Sequence, residues 1–280
     1  MEMFSAIEAL RAQVRAWRQA GEGIAFVPTM GNLHEGHLSL VRAARERAPR
    51  VVVSIYVNPT QFGPGEDLDA YPRTLEADRQ RLEAEAVDLL FAPDTAVMYP
   101  RGTDVSTRVE VPVVSQGLCG DFRPGHFTGV ATVVARLFNL VQPDLALFGE
   151  KDYQQLVVIR RLVEDLGWPI EIVGLPTVRE ADGLAMSSRN RYLDAEARAR
   201  APELYRSLKA LVEAVRAGRR DYRALEREAI ERLAGAGLVP EYVEIRLADS
   251  LQPAPEGATG CRVLAAARLG GARLIDNLPL

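Results

Sequence analysis

Two rhythms of apolar and polar positions succeed each other along this chain. In roughly the first 175 residues, short apolar runs alternate with helical stretches. Residues 24–27 read as a buried strand ending at Pro28, and residues 51–57 form a near-continuous apolar run. Such a run suits a parallel strand covered on both faces. Residues 87–92 (closed by Pro93), 145–148 and 170–175 (stopped by Pro176) read as further strands. Between them, residues 38–47, 75–86, 128–141 and 153–166 carry helical periodicity. Leu38, Leu40, Val41 and Ala44 make the apolar face of the first. The third is apolar nearly all round and predicts a buried helix. Gly167 ends the fourth. This alternation predicts a parallel sheet with helices on both faces.

The rhythm changes after Pro176. Residues 177–192 are polar and loop-like. Residues 203–217 place Leu204, Leu208, Leu211, Val212 and Val215 on one helical face, and residues 222–234 use Leu225, Ile230 and Leu233. Residues 242–247 alternate, with Val243, Ile245 and Leu247 on one side. Residues 262–267 and 272–275 read as antiparallel partners of that strand. The pattern therefore predicts two units, 1–176 of α/β type and a smaller α+β unit, 177–280, with a short antiparallel sheet.

Composition narrows the function classes. The 280 residues are 48% hydrophobic and 26% charged, an ordinary soluble mixture. A chain of this length buries roughly three quarters of its unfolded surface without a staple. Its two cysteines, Cys119 and Cys261, exclude a disulfide scaffold and a four-cysteine zinc module, and read as inert packing residues. There is no apolar run long enough to span a membrane and no secretory leader, so the cytoplasm is the default location. A net charge of −4 argues against a general nucleic-acid binder. The basic residues are nearly all arginine, since only Lys151 and Lys209 are lysines. His34, His37 and His126 are the only histidines.

Five segments could carry chemistry. The densest is PTMGNLHEGH, residues 28–37, between the first strand and first helix. A strand end feeding a helix N-terminus is the ligand crevice of an open α/β sheet and favours an anion. Gly31 and Gly36 permit close backbone approach, and two histidines three residues apart can donate to phosphate oxygens. The spacing does not fit a zincin metal site. FGEKDYQQ, residues 148–155, occupies an equivalent strand-to-helix junction, and Lys151 there offers a compact point charge for phosphate. Asp152 is alternatively a helix cap. LAMSSRN, residues 184–190, offers two hydroxyls and a guanidinium to a triphosphate, or is an ordinary polar linker. NPTQFG, residues 58–63, reads as an amide site for a small polar substrate or as a turn. RPGHF, residues 123–127, could simply start a helix.

Together these segments resemble the pantothenate synthetase (pantoate–β-alanine ligase) family, within the HxGH nucleotidyltransferases. The likeness lies in PTMGNLHEGHLSLV from Pro28, NPTQFGPGEDLDAYPRT from Asn58, RPGHFTGVATVV from Arg123, FGEKDYQQ from Phe148 and MSSRNRYL from Met186. It runs over essentially the whole chain. It implies a Rossmann-like first domain, residues 1–176, that binds nucleotide and substrates, and a lid-like second, residues 177–280. It also implies a homodimer and magnesium-dependent use of ATP, with metal ligands left unassigned. Carried over residue by residue, the ATP site comprises Met30, Gly31, Asn32, Leu33, His34, Glu35, Gly36, His37, Gly149, Glu150, Lys151, Asp152, Val178, Met186, Ser187, Ser188 and Arg189. His37, His34, Lys151 and Arg189 are the implied catalytic set, with the histidines as positive partners of phosphate. Gln61 and Gln155 are the implied pantoate ligands, with Gln61 also touching β-alanine, and Asn58, Tyr71 and His126 lie near the substrate pocket. The implied reaction is adenylation of pantoate followed by attack of the β-alanine amine, with no nucleic acid or membrane partner. Rival readings are another adenylyl-transferring enzyme, a nucleotide-binding regulator without catalysis, and an RNA-binding synthetase-like protein.

Overall fold

A computed structural model describes residues 1–280. Strand β1 (Glu2–Phe4) and helix α1 (Ile7–Gln19) open the chain. Then β2 (Ile24–Thr29) feeds α2 (Glu35–Arg45), β3 (Arg50–Ile55) precedes α3 (Leu75–Ala84), and β4 (Leu89–Phe91) precedes α4 (Thr95–Met98). Short α5 (Cys119–Phe122) and long α6 (His126–Val141) lead to β5 (Leu145–Gly149), α7 (Tyr153–Asp165) and β6 (Glu171–Leu175). The six strands form one sheet in the order β1-β4-β3-β2-β5-β6, every pair parallel. Helices α1, α6 and α7 bury one face and α2 and α3 the other. After β2 the chain turns to β3 on one side, and later returns to β5 on the other. The strand order therefore reverses at the C-terminal ends of β2 and β5, where such sheets open a crevice for ligands.

The pattern predicts most of these elements, but short α4 and α5 are not read from it, and three further differences lie in this half. The first 20 residues, assigned no element, form β1 and α1, whose Leu10, Val14 and Trp17 enter the core. β2 runs past Pro28, because beyond Phe26 it pairs only with β3 and a missing N–H is tolerated there. α2 starts at Glu35 rather than residue 38, which makes His34 its N-cap, and Leu38 stays outside the buried set.

The second half contains α8 (Ala195–Arg200), α9 (Glu203–Arg216), α10 (Tyr222–Gly235) and an antiparallel sheet β7 (Val239–Leu247), β8 (Cys261–Leu269), β9 (Ala272–Pro279). β8 is central, so residues 272–279 pair with β8 and not with β7 as the pattern suggests. The predicted apolar face of α9 is buried as a set, but Ile230 of α10 is exposed. Residues 177–192 are not all loop: Arg179 and Ala185 form a bridge and Ser188–Tyr192 a 3-10 turn. One face of the small sheet packs on α9 and α10. From its other face Tyr242, Leu264 and Ala266 enter the core shared with α6 and α7. No helix is long and apolar enough to cross a membrane.

Candidate active site

Two adjoining cavities, of about 230 and 640 Å³, open where β2 and β5 end, and share Arg123, His126, Lys151, Asp152, Gln155, Ser187 and Arg189 on their walls. The β2–α2 connection builds one side. Gly31 and Asn32 both adopt positive φ, +81° and +50°. A side chain at Gly31 would press Ile55 at 3.0 Å and Asp78 at 3.2 Å. This tight turn is fastened by Asp78 of α3, a carboxylate the sequence reading did not single out. Its oxygens accept from the Asn32 and Leu33 amides, each at 2.8 Å, and from Thr74 Oγ1 at 3.0 Å.

The turn delivers His34 and His37 to the start of α2. The Gly36 amide donates to His34 Nδ1 (3.2 Å), and the His34 amide donates to His37 Nδ1 (3.3 Å). Each Nδ1 is thus an acceptor, which leaves the proton of each neutral ring on Nε2. Gly36 is required by this closeness, since a Cβ there would lie 2.9 Å from His34 Cε1. Burial, Lys151 and the opposing pull of Asp152 bring His34 to about 4, and burial and His34 bring His37 to about 3. Both are therefore uncharged at neutral pH. They offer neutral N–H donors, and the expected positive partners reduce to Lys151, Arg189 and the helix N-terminus.

The β5–α7 connection builds the other side. Lys151 and Asp152 line the cavity, with Nζ 3.8 Å from the Asp152 carboxylate. Asp152 makes no capping bond to α7, so its carboxylate serves the cavity. Burial raises its pKa, but Lys151, Arg189, His126 and Arg123 outweigh that and hold it below the usual value. Glu150 turns away from the cavity and pairs with Arg262 at 3.0 Å. Asn277 of β9 donates to the carbonyls of Glu150 (2.9 Å) and Lys151 (3.0 Å), bracing this segment from the second sheet.

Gln61 sits at the end of a 3-10 turn, Pro59–Gln61, that follows β3. Asn58 Nδ2 donates to Gln61 Oε1 (3.1 Å) and to the Gly129 carbonyl (3.2 Å). Asn58 Oδ1 accepts from Thr60 Oγ1 (2.9 Å) and Tyr99 Oη (3.0 Å). Its amide is fully engaged, so Asn58 orients Gln61 and leaves Gln61 Nε2 to the cavity beside Met30 Sδ (3.2 Å). His126 plays the same part for the backbone. Its Nδ1–H donates to the Gln61 carbonyl (2.8 Å) and its Nε2 accepts from Arg123 (2.9 Å). Gln154 and Gln155 divide similarly. The Gln154 amide fastens the 114–119 loop through four bonds, whereas Gln155 lines both cavities.

Comparisons with known proteins point to one family. The family model described as pantoate-beta-alanine ligase matches residues 2–279. The chain belongs to the pantoate–β-alanine ligase family. It is 59% identical to the pantothenate synthetase of Pseudomonas paraeruginosa, over 99% of this chain and 98% of that protein. It is 60% identical to that of Ectopseudomonas mendocina, with the same coverage. Among solved structures, pantothenate synthetase from Thermus thermophilus superposes with a TM-score of 0.92 at 52% identity over 99% of both chains. A pantoate-beta-alanine ligase from Francisella tularensis, complexed with beta-gamma ATP and beta-alanine, gives 0.84 at 33% identity, covering 100% of this chain and 97% of that one.

Within this ligase, the residues expected at the site divide into two sets. Met30, His34, Gly36, His37, Gly149, Lys151, Asp152, Val178, Met186, Ser187, Ser188 and Arg189 line the first cavity, together with Asn58, Gln61, Tyr71, His126 and Gln155. Gly31, Asn32, Leu33, Glu35 and Glu150 do not. Leu33 is core, Glu35 pairs with Arg42, and Asn32 receives Ser188 Oγ on its carbonyl (3.2 Å) and Arg191 on its side chain (3.1 Å). Cys261 is buried packing. Cys119 packs against the main core, and its sulfur also lies 3.1 Å from Tyr242 Oη and 3.4 Å from the Arg273 guanidinium.

Proposed function

We propose that this ligase condenses (R)-pantoate with β-alanine in two steps at the β2/β5 crevice, through a pantoyl adenylate. In the first, a pantoate carboxylate oxygen attacks the α-phosphorus of ATP, the bond to the bridging oxygen of the β-phosphate breaks, and pyrophosphate leaves. In the second, the β-alanine amine attacks the acyl carbon and AMP leaves, giving pantothenate. The observation that carries this reading is the pair of neutral Nε2–H donors, His34 and His37, at the α2 N-terminus, lining the same cavity as Lys151 from the opposite side. Charge accumulates on phosphate oxygens in the first step. Donors fixed in advance stabilise it without reorganising.

Gln61 and Gln155 present neutral amides suited to the hydroxyls and carboxylate of a small hydroxy acid. Met30, Val178 and Met186 give apolar walls to the nucleotide, and the Met186 amide is tied to the Val178 carbonyl at 3.0 Å. No cluster of three acidic, histidine or cysteine side chains stands ready to chelate a metal. The single ionised Asp152 nevertheless fits magnesium, which keeps several waters and binds through one or two carboxylates plus phosphates. Asp152 would hold it, and the ion would neutralise the outer phosphates. We assign nucleotide and substrate binding to residues 1–176 and covering of the cavity to 177–280. We place the enzyme in the cytoplasm as a homodimer, which light scattering checks.

Pyrophosphate release from Mg-ATP tests the whole reading. Release that depends on pantoate, and turnover to AMP that depends on added β-alanine, are expected. ATP binding without release under either condition would favour a regulator instead.

A further inference from the structure

Arg189 reaches the cavity from the 188–192 turn, but its guanidinium is already engaged. Its Nε donates to Asp67 Oδ2 and its Nη2 to Asp67 Oδ1, both at 2.9 Å. This parallel fork is the arrangement by which arginine also grips two phosphate oxygens. Lys151 has a much looser partner, Asp152 at 3.8 Å. Asp67 lies in the segment after Gln61, residues 62–70. That segment meets the 188–192 turn a second time, where Tyr192 Oη donates to the Ala70 carbonyl (3.3 Å). The neighbouring Glu66 pairs with Arg123 at 2.6 Å and anchors the segment independently of Asp67. Gly65 adopts φ +80°, with open space where a side chain would stand.

We propose that Asp67 is an internal competitor for the triphosphate: ATP takes the guanidinium fork of Arg189 by displacing the Asp67 carboxylate. This rests on the reading above that Arg189 meets the phosphates. The exchange frees residues 62–67 from the 188–192 turn while Glu66 keeps them attached to Arg123. Asp67 is then a positioning residue that sets affinity for the phosphate chain. A ligand without phosphates has nothing to exchange for the carboxylate, so its affinity does not depend on Asp67.

Calorimetric titration of the full chain with ATP and with adenosine tests this. The pair is about a quarter exposed (27% and 23%), the range of modest ion pairs. Asp67→Asn should therefore bind ATP about 2- to 5-fold more tightly, a gain that mere structural damage does not produce. Adenosine affinity should be unchanged, and Asp67→Glu should restore wild-type ATP affinity. Arg189→Ala should weaken ATP by about 10-fold, and adding Asp67→Asn to it should change nothing further. If Asp67→Asn binds ATP no more tightly while Arg189→Ala is weakened, competition is wrong and the phosphate role of Arg189 survives. If Arg189→Ala binds ATP like wild type, the role of Arg189 fails and the exchange with it.

Discussion

His126 ties acid stability to the segment that carries Gln61, and replacing it with asparagine removes the titration while keeping a short amide in its place. In the folded chain His126 Nε2 accepts from Arg123 and Nδ1–H donates to the Gln61 carbonyl. A proton on Nε2 would set two cations against each other in a site where His126 is only 9% exposed. Burial first, and Arg123 second, bring the imidazole to about 4. In the unfolded chain it titrates near 6.5. Between those values the unfolded state binds a proton that the folded state refuses, so stability falls as pH drops from about 6.5 towards about 4. At pH 5 this amounts to about 2 kcal/mol, from about 1.5 pH units at 1.36 kcal/mol each. Above pH 7 it contributes almost nothing. His126→Asn loses its bond from Arg123, a loss of about 1 kcal/mol at pH 7. Its further loss between pH 7 and pH 5 should then be about 2 kcal/mol smaller than that of the wild type. Urea unfolding followed by the fluorescence of Trp17 and Trp168 reads both quantities. His34 and His37 titrate in both proteins, so they cancel in the difference. An equal pH dependence in the two proteins would refute the assignment of a neutral, doubly paired His126.

Three further outcomes follow from the same geometry. His37→Ala removes one fixed donor and should slow pyrophosphate release by about 10²–10³ with the far-ultraviolet dichroism unchanged; near-normal turnover would remove His37 from the mechanism. Gly129→Ala would set a Cβ 2.3 Å from the Thr60 carbonyl oxygen and 2.7 Å from Gln61 Cα. Backbone there must shift, so a destabilisation of about 1–3 kcal/mol and a raised KM for pantoate are expected, checked by thermal unfolding and steady-state kinetics. Asn277→Ala leaves the Glu150 and Lys151 carbonyls without their donor. It should raise the KM for ATP more than that for β-alanine, and equal effects on both would show the brace to be generic.

The sequence carries the parallel sheet and the motif positions plainly, because apolar runs, prolines and glycines act locally. It is weaker wherever a role depends on direction. PTMGNLHEGH reads as one contiguous site, yet the turn at Gly31 and Asn32 sends Leu33 into the core and Glu35 to Arg42. Pro28, Thr29, Met30, His34, Gly36 and His37 face the cavity, and the four residues among them do not. Asn58 and His126 resemble ligands by type and place, but their hydrogen-bonding capacity is filled by protein. Asp78, Arg262, Asn277 and Gln154 escape notice for the opposite reason. Each is an ordinary polar residue whose meaning comes from a partner far along the chain. The charge of the histidines was also hidden, since it depends on burial and on which nitrogen the backbone engages.

The brace from Asn277 has a kinetic side. Its bonds to the Glu150 and Lys151 carbonyls join residues 127 and 126 positions apart. The pairing of β2 with β3 closes a far shorter span of chain. Contacts of long sequence separation carry the larger closure entropy and tend to form late. During refolding the β2–β3–β4 half of the sheet can therefore form while the lysine-bearing turn still lacks its fastening. Strand β5, whose pairing of Leu145 with Ala25 closes a span of 120 residues, carries about the same closure entropy as the brace. Nucleotide affinity should return after the first ellipticity does, because both long closures stand between that half-sheet and the finished site.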